Sequence, residues 1–312
     1  MRYRTWEPAE YSKVQELRNS GISWGRIAQH FNTSKENARA AYRRAVGAKQ
    51  GAYLPKHDAP LVAVLDIETL PMVVYTWGMY DQDISTEQVI ADSCMLSWAG
   101  KYLNGSKPLS DIMTPEEARA RDTERITRSV WEFLKPAHAV VGHNFTEFDF
   151  KYINTMFLKH GLPPLKFIII DTLKIARQSF RFASNKMKYI NGQLGIRNKV
   201  ENDGFPLWRG CSEGDKKSLK TMLEYNEGDI GATEELFYKV RPYIHNFNVA
   251  LYNEIEEQQC PVCGSENIES EGYYYTPAGK WESVRCKECG CLSRSKYNEL
   301  TTEKKKSLLV NS

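Results

Sequence analysis

The apolar run LVAVL at 61–65 passes straight into two acids, Asp66 and Glu68, with Ile67 between them. The run predicts a buried central strand. Two further strand-like segments follow, VVYTWGM at 73–79 and CMLSWAGKYL at 94–103. Ile126, Val130, Phe133 and Leu134 then recur at helical spacing and predict an amphipathic helix. After it come AVVGHN (139–144), a helix from about Phe148, the apolar strand KFIIID (166–171) and two long helical stretches. Three strands in succession followed by alternating helix and strand predict an α/β sheet, antiparallel at first and parallel later. Trp77, Trp98 and Trp131 are expected in its core.

Both ends depart from this pattern. Pro8 suits the first turn of a helix through Val14 and Leu17 that stops near Gly21, and Ser23 caps a second with Ile27, Ala28 and Phe31 inside. TSKE at 33–36 is a capping box opening a basic third helix. Short helix, tight turn and basic helix form the layout of a helix-turn-helix over 1–47, with Lys35, Asn37, Arg39, Arg43 and Arg44 available to DNA. A three-helix bundle docking on protein is the plain alternative. Residues 48–60 lack apolar periodicity and read as a linker, ahead of the α/β domain at 61–250. NEIEEQQ (253–259) is a polar joint, and a cysteine-rich module at 258–296 and a basic tail at 297–312 close the chain.

In composition the 312 residues are those of a soluble protein, 41% hydrophobic and 26% charged. LVAVL is far too short to span a membrane, and the polar N-terminus lacks a signal-peptide core, so a cytoplasmic protein is expected. The net charge of +3 is uneven. Residues 1–58 carry 11 Lys/Arg against 5 Asp/Glu, while 59–259 carry 23 against 27. A basic head suits a polyanion, and a slightly acidic body suits cations.

Side chains two apart on a strand share a face, so Asp66 and Glu68 can share one ligand. Two such carboxylates repel unless a cation neutralises them, and hard oxygen donors favour Mg²⁺ or Mn²⁺. Alone the pair means little, because strand-end acids are common. Further acids arrive from later in the chain. Asp149 in GHNFTEFDF follows a strand end, and Tyr225 and Asp229 in EYNEGDIGA stand at i and i+4 on one helix face.

D-x-E after an apolar strand, N-x₃-F-D after a later strand and Y-x₃-D on a late helix resemble the DEDD superfamily of 3′–5′ exonucleases. That family has an RNase H-like fold, a mixed sheet flanked by helices. The resemblance spans roughly residues 60–245. Tyr225 marks the tyrosine branch; the histidine branch has His five residues before the last Asp, where Glu224 stands here.

The resemblance implies two Mg²⁺ or Mn²⁺ ions. Asp66, Glu68 and Asp229 would hold one, Asp66 and Asp149 would lie nearest the second, and Tyr225 would orient water. It also implies release of nucleoside 5′-monophosphates from a single-stranded 3′ end. Thr69, Leu70 and Met72 would lie against the terminal base, and Asn144 would touch the strand. Asp171 is expected as a helix cap rather than a further ligand, and His143 as a residue that supports the site from behind or packs, rather than a catalyst. Arg177, Arg181, Lys186 and Lys188 interleave with Phe180 and Phe182, a mix that suits single-stranded nucleic acid and equally an ordinary solvated face.

Five of the seven cysteines lie in 260–291. CPVCG (260–264) and CKECG (286–290) are two knuckles, with a hairpin expected to turn at Pro277–Gly279. Cys260, Cys263, Cys286 and Cys289 are expected to hold one structural Zn²⁺ in a zinc ribbon, leaving Cys291 as a spare thiol or as a competitor of Cys289. The ribbon either contacts DNA through Tyr273, Tyr274, Arg285 and Lys287 or binds a protein such as a polymerase.

The expected function is a metal-dependent 3′–5′ DNA exonuclease serving replication proofreading or repair, in a layout that suits a phage or mobile element. An RNA exonuclease or structure-specific endonuclease on the same fold is the enzymatic alternative. A DNA-binding regulator with a degenerate nuclease domain is the other.

Overall fold

A computed structural model describes residues 8–20, 22–45, 60–103, 107–196, 204–253 and 255–309. The expected linker, Pro60 apart, lies outside the described residues, as do the side chains of Arg43 and Arg44. The chain divides into two compact units, one of Met1–Ala59 with Ala250–Gln258 and one of Pro60–Val249 with Gln259–Ser312.

The first unit holds α1 (Pro8–Asn19), α2 (Trp24–His30) and α3 (Lys35–Ala45). Ser23 caps α2 as expected. The cap of α3 falls one residue later than the TSKE pattern predicts: Ser34 Oγ accepts from Asn37 N–H at 3.2 Å. Val14, Trp24, Ile27, Ala38 and Ala41 form a small core. Two of the expected DNA contacts are engaged inside this unit. Lys35 pairs with Glu256 at 2.6 Å. Arg39 lies over the Trp24 ring with Cζ 6.0 Å from its centroid, and its Nε and Nη2 are buried. Asn37 remains partly exposed.

In the second unit the apolar run forms β1 (Val62–Leu70). A small ribbon, β2 (Val73–Val74) with β3 (Val89–Ala91), then leads to β4 (Cys94–Tyr102) and β5 (Leu109–Ile112). Helices α4 (Pro115–Ala120) and α5 (Glu124–Leu134) precede β6 (Ala139–Gly142), α6 (Asp149–Lys159) and β7 (Ile168–Asp171). Four helices complete the domain: α7 (Thr172–Ser179), α8 (Met187–Leu194), α9 (Phe205–Ser212) and the long α10 (Lys216–Val240). The main sheet runs β5-β4-β1-β6-β7. β1–β4 and β4–β5 are antiparallel, while β1–β6 and β6–β7 are parallel, the mixture the pattern predicts. β1 lies between β4 and β6, which is why its first four residues are all buried.

One strand is misassigned by the pattern. Residues 73–79 leave the main sheet, and β5 supplies its third antiparallel strand. Arg121 clamps both ends of the excursion, donating to Pro71 O at 2.9 Å and Asp92 O at 2.8 Å. Within it, Thr76 Oγ1 bonds Gly78 O at 2.8 Å and Gln82 Nε2 bonds Tyr80 O at 2.7 Å, so local side-chain bonds replace a ladder. Trp77 is 97% exposed there, against the expectation of a core residue, whereas Trp98 is buried and Trp131 half-buried.

After α10 the chain forms a three-stranded antiparallel sheet ordered β10-β9-β8, from β8 (Ile268–Thr276), β9 (Gly279–Cys286) and β10 (Leu292–Arg294). Its first hairpin turns at Pro277–Ala278, close to the expected place. A short α11 (Thr302–Ser307) follows. Among the described residues, no helix is long and apolar enough to cross a membrane.

Candidate metal centre

β1 carries its apolar residues into the sheet and delivers Asp66 and Glu68 half-buried near its end. Asp229, wholly buried on α10, meets them from the other side. One carboxylate oxygen of each lies within 4.8 Å of the others, the arrangement a single hard cation accommodates. Asp149, the first residue of α6, is 4% exposed and accepts a hydrogen bond from Ile67 N–H at 3.0 Å. That bond sets it beside the pair although 82 residues separate the partners. Burial pushes the Asp149 carboxyl well above the usual carboxylate range, and the charges of Asp66 and Glu68 push it further. The Ile67 N–H acts in the opposite direction. The convergence of these four acids fits a site built for divalent metal.

The loop after β6 is held by Asp171, which caps α7 by accepting from Leu173 N–H at 3.0 Å. The same carboxylate accepts from Asn144 N–H and Thr146 N–H, each at 3.0 Å. Asp171 is therefore a brace between two strand ends. Asn144 sits at φ 65°, a left-handed conformation that asparagine tolerates better than most residues. Gly142, just before it, leaves room for Phe145; a Cβ there would come within 2.8 Å of that ring. His143 bonds Thr172 Oγ1 at 2.9 Å and Asn185 O at 3.0 Å, which ties the loop to the segment before α8.

On α10, Tyr225 precedes Asp229 by one turn, with its ring edge-on to Trp208 at 6.3 Å. Asn226 is the residue that motif reading misses. It is fully buried, donates from Nδ2 to Asp66 Oδ2 at 2.8 Å, and accepts from Ser97 Oγ at 3.1 Å. It stands three residues before Asp229, on the same helix face, and that spacing is the signal that points to it.

A cleft of about 560 Å³ opens beside Asp66, lined by His143, Asn144, Arg177, Lys186 and Lys188. Arg181 is exposed and does not line it. Among the expected base contacts, Thr69 is half-buried and Met72 exposed, but Leu70 is 0% exposed and packs in the main core. Its side chain is therefore unavailable to a substrate, because the close of β1 turns it inward.

A second cluster lies in the C-terminal sheet. The sulfurs of Cys260, Cys263, Cys286 and Cys289 all lie within 4.8 Å of one another. Cys260 and Cys289 are 3.6 Å apart, and Cys263 and Cys286 3.5 Å. Bonds of about 2.3 Å to a tetrahedral zinc would set sulfurs roughly 3.8 Å apart, so the donors fit Zn²⁺ with little adjustment. Each knuckle closes through a glycine at positive φ: Gly264 N–H donates to Cys260 O and Gly290 N–H to Cys286 O, both at 2.9 Å. Cys291 is buried against the cluster, within hydrogen-bonding reach of Cys260 and with its sulfur 3.5 Å from Ser293 Oγ.

Residues 102–241 match the RNase_H_2 model of the RNase_H superfamily, a span that includes Asp149, Tyr225 and Asp229. A DNA polymerase III PolC-type from Pediococcus pentosaceus is 30% identical over 122 residues, which are 36% of this chain and 8% of that protein. The chain thus spans under a tenth of that relative's length. The family B DNA polymerase from the archaeon Pyrobaculum calidifontis aligns with a TM-score of 0.42 at 16% identity, over 59% of this chain and 26% of that one. Strand order and family match together make the central region an RNase H-like domain.

Proposed function

We propose that the chain is a metal-dependent 3′–5′ exonuclease of the tyrosine-branch DEDD type, hydrolysing DNA from a single-stranded 3′ end to nucleoside 5′-monophosphates. The observation that carries this is the convergence of Asp66, Glu68 and Asp229 within 4.8 Å, with Asp149 joined through Ile67 N–H. Asp66, Glu68 and Asp229 hold one divalent cation, and Asp66 with Asp149 holds a second. Bound there, the cations supply charge neutralisation and lower the pKa of attacking water. Tyr225 orients that water, and its place is kept by Trp208. Asn226 fixes the Asp66 carboxylate. Arg177, Lys186 and Lys188 receive the phosphates of the strand, with Asn144 at the cleft mouth.

The flanking parts have narrower roles. The four cysteines hold one structural Zn²⁺ in a zinc ribbon. The helical head meets duplex DNA through Asn37 and the arginines late in α3, since Lys35 and Arg39 are otherwise engaged. The polymerase relative supports a place beside DNA synthesis, with proofreading supplied to a separate polymerase.

The test uses 3′- and 5′-labelled single-stranded DNA and RNA with Mg²⁺, Mn²⁺ or EDTA. Metal-dependent release of mononucleotide from DNA 3′ ends is expected. Release only from RNA, or only internal cleavage, would replace the substrate assignment. No release from any 3′ end would sink the enzyme itself.

A further inference from the structure

β8 is the outer strand of the C-terminal sheet, and seven of its nine residues are exposed, from Glu269 to Tyr275. No strand pairs its free edge among the described residues. A core-forming strand would hide one face, yet here three consecutive tyrosines stand out on both. Gly272, at φ 86°, carries the register shift that brings Tyr273–Thr276 back into line with β9. Tyr274, on one face, is opposite Trp281, and Arg294 covers that pair, 4.5 Å over the indole. That face is partly covered by its own side chains, with Tyr274 still 48% exposed.

The other face differs. Tyr273 and Tyr275 are 50% and 65% exposed, with ring centroids 6.3 Å apart. Lys280, paired across from Tyr275, sets its Nζ 3.5 Å over the Tyr273 ring. No carboxylate pairs with Lys280 among the described residues. The cations that the sequence favours for nucleic acid are occupied instead: Arg285 bonds Glu271 at 2.8 Å, and Lys287 pairs with Glu269.

We infer that the β8 face bearing Tyr273, Tyr275 and Lys280 binds single-stranded nucleic acid. Tyr275 and the exposed side of Tyr273 each offer a platform for one base, and the Lys280 ammonium, held over the other side of the Tyr273 ring, meets the phosphate between. Stacking ignores base identity, so the surface holds a strand without reading it. Glu282 stands opposite Tyr273 on this face and directs the phosphates toward the Lys280 end. The site is separate from the acidic centre, and binding there does not depend on the nuclease reading.

The experiment is fluorescence anisotropy on the full chain carrying Asp66→Ala, with labelled 20-nucleotide single-stranded DNA and RNA over a salt series. Tyr273→Ala and Tyr275→Ala should each weaken binding about fivefold or more, the lower end for a base–aromatic stack. Tyr275→Phe, which keeps the ring, should bind as the parent does. Lys280→Gln should reduce the slope of log affinity against log salt by about 0.7. Tyr274→Ala, on the face where Arg294 lies over the Tyr274–Trp281 pair, should stay within twofold. Unchanged affinity for both alanine variants, an unchanged slope for Lys280→Gln, or an equal loss from Tyr274→Ala would overturn the proposal, and the face would be assigned to a protein partner. Zinc content is measured for each variant. If an alanine variant loses zinc, Tyr275→Phe and Lys280→Gln decide the matter. The DNA and RNA arms identify the source of the strand.

Discussion

The acidic centre and the cysteine cluster are both built from four side chains, yet they relate to the fold in opposite ways. The cysteines come from two five-residue knuckles whose glycines and backbone bonds shape them locally. β8 is exposed almost throughout, so this small sheet is expected to depend on a metal at the four cysteines for its folding. The acids instead are delivered by a buried strand and two helices of a domain with a large core. Burial first, and the charges of Asp66 and Glu68 second, raise the Asp149 carboxyl, and the core of that domain is expected to hold the acids in place without a cation. The two sites therefore predict opposite dependence of the local fold on a bound metal.

Substitution of a donor gives the largest contrast. Asp66→Ala should lower nucleolytic turnover by at least about 10³-fold, since several kcal/mol of charge stabilisation depend on the site. The domain should stay folded, because the change removes a source of repulsion. Cys263→Ser should do the reverse, releasing zinc and exposing 260–296 to protease while the central domain melts as before. A Cys263→Ser protein with an intact, zinc-loaded C-terminal sheet would break the comparison. Metal withdrawal probes the same difference without mutation. Withholding Mg²⁺ and Mn²⁺ from the assay should abolish activity reversibly with unchanged far-UV circular dichroism. A strong zinc chelator should remove one metal and the β8–β10 signal together.

Smaller effects sharpen the acidic side. Tyr225→Phe should reduce kcat by about 10²-fold with KM little changed, because the ring packing survives and only the hydroxyl is lost. Equal turnover would count against water orientation. Asn226→Ala should cost about tenfold and weaken Mg²⁺ affinity, as expected for a residue that positions a metal-binding carboxylate. Leu70→Ala should scarcely touch KM for a short oligonucleotide, yet cost about 2–5 kcal/mol of stability. A raised KM with unchanged melting would return Leu70 to the substrate.

How much was legible follows from range. Strands β1, β4, β6 and β7, helices α5 and α6, and the antiparallel-then-parallel order all follow from apolar periodicity, because burial imposes that period. VVYTWGM has the same apolar look, but its residues are fixed by Thr76, Gln82 and the Arg121 clamp, contacts that periodicity does not record. Trp77 was misjudged for that reason. Leu70 was misjudged because a motif names neighbours in sequence, while the end of β1 decides which of them turns inward. The cations Lys35, Arg39, Arg285 and Lys287 were legible as charges but not as partners of Glu256, Trp24, Glu271 and Glu269.

By itself, the sequence determined which chemistry the chain carries. The spacing of its acids, tyrosine and cysteines is a local property, written in residue types and intervals. Only the tertiary structure decided which side chains face one another. Asn226 reaching Asp66, Asp171 bracing the Asn144 loop and the open Tyr273–Tyr275 face are products of packing across long stretches of chain. The reason is physical: a carboxylate's neighbours are set by distance through space, and only a folded core fixes that distance.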